Sequence, residues 1–83
     1  MNAHVAYAFE IYVDDDRYAV PTLHLVTAVD DGHALDIAAR LMRECPHHRG
    51  AELCRGGERL AGLGTFATRR TTEDARNRVI RPR

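Results

Sequence analysis

Val5-Ala6-Tyr7-Ala8-Phe9-Glu10-Ile11-Tyr12-Val13 alternates without a break: Val5, Tyr7, Phe9, Ile11 and Val13 share one face, and Ala6, Ala8, Glu10 and Tyr12 share the other. A period of two carried by β-branched and aromatic residues marks a strand with one buried face. Asp14-Asp15-Asp16-Arg17 then reads as a solvated polar turn. A second strand is expected over 22–29, directly after Pro21, because proline suits the start of a strand and not its middle. Residues 18–20 are expected to lengthen this hairpin past the proline irregularity.

Downstream the period changes. Asp30 or Asp31 suits a helix N-cap, since a carboxylate accepts the orphan backbone N–H groups of the first turn. Ala34, Ile37, Ala38, Leu41 and Cys45 follow at helical spacing, with Leu35 and Met42 widening the apolar stripe. Arg40 and Arg43 sit near the end, where cations suit the helix dipole. Pro46 disfavours helical geometry in the residue before it, so the helix should stop near Glu44 or Cys45. His47-His48-Arg49-Gly50 reads as a loop. The segments 51–55 and 58–63 flank Gly56-Gly57 as a hairpin, because glycine supplies the positive φ of a tight turn.

The predicted fold class is α+β in the order β-β-α-β-β: a four-stranded, mainly antiparallel sheet with one helix on one face. Residues 1–64 form the single domain, and 65–83 an Arg-rich C-terminal tail, flexible or with a short helix over 72–80. One helix covers one sheet face, and the other face is half apolar, so a homodimer is the structural expectation.

Composition narrows the function classes. The chain has 83 residues, with 12 basic and 12 acidic side chains, and every basic one is arginine. Its large apolar residues number 23, enough for one thin two-layer core. Charge is unevenly placed: residues 1–42 carry seven acids against Arg17 and Arg40, a net of −5, and residues 43–83 carry a net of +5. The N-terminus has no basic n-region followed by an apolar run, and no stretch approaches the length of a membrane span. Two cysteines are too few for a disulfide framework. The expected protein is cytoplasmic, without a membrane partner.

Few residues suggest chemistry. Cys45, His47, His48 and Cys54 lie within ten positions, but the spacing matches no standard zinc pattern, so no metal or other cofactor is expected. Asp14-Asp15-Asp16 lacks the glycine and terminal glutamate of an EF-hand loop. The chain contains no serine and no phosphate-binding glycine loop, and an enzyme is not expected. His24, with His4 near it on the neighbouring strand, would form a titratable pair on a sheet face. The segment 16–24 is dense in contact chemistry, and Tyr12, Arg17, Tyr18 and His24 are the candidate interaction residues. In the plainer alternative Arg17 pairs with its neighbouring aspartates and Tyr18 packs over the sheet edge. In the tail Arg69, Arg70, Arg76, Arg78, Arg81 and Arg83 could neutralise phosphates.

The run Tyr7-x-Phe9-x-Ile11-Tyr12-Val13-x-Asp15-Asp16-Arg17-Tyr18-x-Val20-Pro21-Thr22-Leu23-His24-Leu25-Val26, then an Ala-rich helix and Pro46-His47-His48-Arg49-Gly50, resembles short uncharacterised bacterial single-domain proteins over residues 7–64. The resemblance implies a stand-alone domain and brings no activity, cofactor or catalytic residue. The expected function is a small non-enzymatic protein-interaction module that self-associates through its open sheet face or binds another protein. The alternative is a nucleic-acid-binding accessory protein using the arginine tail.

Overall fold

A computed structural model describes residues 5–67. The order is β1 (Tyr7–Asp15), β2 (Thr22–Ala28), α1 (Asp31–Glu44), β3 (His48–Arg55) and β4 (Glu58–Gly64). The four strands make one antiparallel sheet in the order β2-β1-β3-β4. The predicted α+β class and β-β-α-β-β order are therefore those of the molecule.

The first strand dictates the core. Phe9, Ile11 and Val13 of β1 are completely buried, and their cross-strand neighbours on the same face are Val26, His24 and Thr22 of β2 and Leu53 and Ala51 of β3. The helix rests on this face through Ala34 and Ala38, whose small side chains bring its backbone close to the sheet. Val26, Leu35, Ile37, Leu41, Met42, Leu60, Ala61 and Leu63 surround this centre. Tyr7 shares the phase of Phe9 but lies at the rim and is exposed, as is Val5 just ahead of the strand.

Both helix ends follow the local chemistry. Asp30 is the N-cap, its Oδ1 accepting the His33 backbone N–H at 2.7 Å, while His33 Nδ1 accepts the Val29 N–H at 3.3 Å. The arrangement is a variant of the capping box in which histidine replaces the usual glutamate and accepts the N–H of the residue before the N-cap. The helix stops at Glu44, with extended Cys45 as its C-cap before Pro46. Gly56 and Gly57 have φ of 60° and 84°, the left-handed geometry of a two-residue hairpin turn, and Arg55 and Glu58 close it.

Three local expectations differ from the structure. Asp14 and Asp15 belong to β1 and not to the turn, because pairing with β3 extends the strand past Val13 through a register shift. His48, Arg49 and Gly50, expected in a loop, start β3 for the same reason. Residues 18–20 form a bend instead of lengthening the hairpin. His4, the 72–80 helix and the tail arginines lie outside the described residues.

Candidate functional site

The sheet face opposite α1 takes the even-numbered residues of β1 and their neighbours. Tyr12 lies opposite Leu23, Glu10 opposite Leu25 and Ala8 opposite Thr27 towards β2. Towards β3, Tyr12 meets Glu52, Glu10 meets Cys54, and Asp14 meets Gly50. The face thus has two unlike halves.

Its β3–β4 half is charged and covered. Arg59 Nε lies 3.2 Å from Glu52 Oε2, off the direction of a hydrogen bond, and Arg59 Nη2 donates to the Phe66 carbonyl at 2.8 Å. Residues 65–67 turn back across this half: the Thr65 N–H donates to the Arg49 carbonyl at 3.0 Å, and Thr65 Oγ1 to Asp14 Oδ2 at 2.7 Å. Gly62 makes the return possible, since a Cβ there would sit 2.5 Å from the Phe66 carbonyl oxygen. Phe66 is buried. Burial pushes the Cys54 thiol up to about 11, with Glu52 and Glu10 adding to the shift and Arg59 opposing it.

The β1–β2 half is open and mostly apolar, with Glu10 of β1 opposite Leu25. Leu23 is 50% exposed and Leu25 74%, two positions apart on an edge strand, with half-buried Tyr12 beside Leu23.

A second grouping of polar side chains sits on the helix side, at the far end of β1. Asp15 is only 3% exposed. Arg17 holds it in a fork, Nε to Oδ1 at 2.9 Å and Nη2 to Oδ2 at 2.7 Å, and the Arg17 backbone N–H adds a third bond at 3.0 Å. These hydrogen bonds hold the Asp15 carboxyl well below the usual carboxylate range, against the opposing effect of burial, and raise Arg17 in turn. His48 Nδ1 donates to the Leu41 carbonyl at 2.7 Å, leaving Nε2 facing Asp15 Oδ2 at 3.6 Å. The His24 ring stands edge-on to His48 at 6.4 Å, and Arg17 Nη2 lies 3.8 Å from Cys45 Sγ. His47 Nδ1 meets Asp16 Oδ1 at 2.8 Å. The grouping ties the β1–β2 turn to the end of α1 and the start of β3.

The candidate interaction residues are therefore divided. Tyr12 lies on the open face, and His24 on the opposite, helix-covered face. Arg17 is engaged with Asp15, as the plainer sequence alternative has it, and exposed Tyr18 stacks 5.5 Å from its guanidinium. Cys54 faces away from Cys45, His47 and His48, and among the described residues no group of three or more His, Cys, Asp or Glu side chains is placed to hold a metal ion. An open groove at the start of α1, lined by Tyr7, Val29, Asp30, Asp31, Gly32 and Arg55, is internally paired through Arg55 and Asp31 at 3.1 Å. Among the described residues no helix is long and apolar enough to cross a membrane.

Two features escaped the residue-by-residue reading. Strand parity carries on from Phe9, Ile11 and Val13 to Asp15, and this was the signal for its burial. Leu23 and Leu25 flank His24 at a spacing that puts both on the face opposite its own, but only the pairing with β1 shows that this is the face α1 does not cover. Comparison with family models, curated proteins and solved structures yields no match in any of the three.

Proposed function

We propose that the chain is a small non-enzymatic protein-interaction module that self-associates through the β1–β2 half of the sheet face opposite α1. The observation that carries this reading is the pair of exposed leucines, Leu23 and Leu25, on a face whose other half is closed by residues 65–67. Apolar side chains grouped on one open half-face favour association, because their burial releases ordered water at about 25 cal/mol per Å². The polar side chains elsewhere satisfy one another: Arg17 binds Asp15, and His48 binds a backbone carbonyl. They support a tie within the fold more than a reaction centre.

The test is light-scattering mass with the 260/280 nm absorbance ratio at low and high salt. A two-chain mass at both salts, lost in Leu23→Lys and Leu25→Lys, is the expected result. A single-chain mass throughout overturns it. The second reading, nucleic-acid binding, is carried by six arginines among the last nineteen residues, Arg69 to Arg83. It predicts instead a complex absorbing at 260 nm whose affinity falls steeply with salt.

A further inference from the structure

We propose that the contact is made by the outer edge of β2: two copies of the chain pair there strand to strand, antiparallel, about a twofold axis through Leu25. This rests on the self-association proposed above but places the contact at the strand edge beside that half-face, so that Leu23 and Leu25 pack against their copies across the new strand pair while the face itself stays open.

The two edges of the sheet are treated differently. The β4 edge carries the devices that discourage strand addition: Glu58 and Arg59 at its start, a register shift against β3 between Leu53 and Cys54, and a chain that turns off the strand at Thr65. The β2 edge carries none within its span. Thr22-Leu23-His24-Leu25-Val26-Thr27-Ala28 contains no acid, lysine or arginine, and Pro21 stands just outside it. Among the described residues β2 pairs on one side only. Of the seven exposed large apolar residues among the described ones, Leu23 and Leu25 lie on β2, Tyr18 and Val20 just before it and Val29 just after it.

The occupant follows from the strand's symmetry. Antiparallel partners must share a face, so odd residues oppose odd residues and even oppose even. With Leu25 opposite its own copy, Leu23 meets Thr27, His24 meets Val26 and Thr22 meets Ala28, and all seven residues are paired. Any other register that preserves the faces leaves residues at the strand ends without an opposite. No like charges meet across the ladder, because the strand carries none besides titratable His24. The product is an eight-stranded sheet with both helices on one side. On the other side Leu23 and Leu25 of each copy form a single apolar cluster.

The full-length chain with Cys45→Ala tests this, since Cys54 is buried on the β3–β4 half. Residues directly opposite in an antiparallel pair have Cα atoms about 4.5–5.5 Å apart, within disulfide reach. Leu25→Cys is therefore expected to oxidise to a covalent dimer. Leu23→Cys and Thr27→Cys should each stay uncrosslinked alone and crosslink when mixed. A two-chain mass without the Leu25→Cys crosslink overturns edge pairing and leaves self-association standing. A single-chain mass for the parent chain at every concentration overturns both.

Discussion

Asp15 shows how one side chain can bind a turn to a fold. It continues the inward phase of Phe9, Ile11 and Val13, and a carboxylate at that depth persists because three hydrogen bonds from Arg17 replace its water. Its folded-state proton affinity is depressed, so the unfolded chain binds the proton more readily as pH falls below the ordinary value of 3.8. Stability is accordingly present above that value and is lost as pH drops through the acid range. Urea midpoints measured from pH 6 downward should show this limb, and Asp15→Asn should lower the plateau while flattening the limb. Cys54 behaves oppositely. Its thiol rises from 9.0 to about 11, so the unfolded chain releases the proton first and stability declines between those values. Cys54→Ala should remove that share of the alkaline decline, and a thiol reagent at pH 8 should label Cys45 well before Cys54.

At the scale of elements, close approach decides what covers what. Ala34 and Ala38 let α1 settle over β1 and β3, and Gly62 lets residues 65–67 cross the other side. A branched side chain at Gly62 would meet the Phe66 carbonyl and the Arg59 guanidinium together. Gly62→Val is expected to cost about 1–3 kcal/mol, the usual penalty for overpacking, read as a lower urea midpoint with an unchanged slope. The two hairpins also differ in their turns. Gly56-Gly57 closes β3 and β4 through left-handed backbone geometry, with the Gly57 N–H reaching Glu10 Oε1 at 3.4 Å. The β1–β2 turn adds Arg17 on Asp15 and His47 on Asp16 to a backbone bond from the Tyr18 N–H to the Asp15 carbonyl at 3.0 Å.

At the largest scale, the helix and four strands of the described residues make a core of eight mutually packed buried residues, three of them on β1 and four of them alanines. So little buried bulk leaves room for a partner to add stability. The self-association proposed above would link folding to concentration, because a partner that binds only the folded chain shifts the equilibrium by mass action. The thermal midpoint should rise across a hundredfold increase in chain concentration for the parent chain and stay constant for Leu25→Lys. A parent midpoint that does not move with concentration would count against self-association.

By itself the sequence determined the elements and their order. Strict alternation over 5–13, an aspartate ahead of a 3.6-period stripe, Pro46 behind it and Gly56-Gly57 between two short apolar runs are local signals, and local backbone preferences answer to them. It also placed Tyr12 and His24 on strands. Tertiary pairing decided what those placements mean. The order β2-β1-β3-β4 puts β1 inside and leaves β2 at an edge, and the register puts His24 beneath the helix while Leu23 and Leu25 stay in the open. Burial of Asp15 needed Arg17, two residues on, to satisfy its carboxylate, and the fold brings His48 from a distant strand to 3.6 Å of it. Periodicity along one strand reports which residues share a face. Which face another part of the chain covers depends on contacts between segments far apart in sequence, and only the folded chain brings those together.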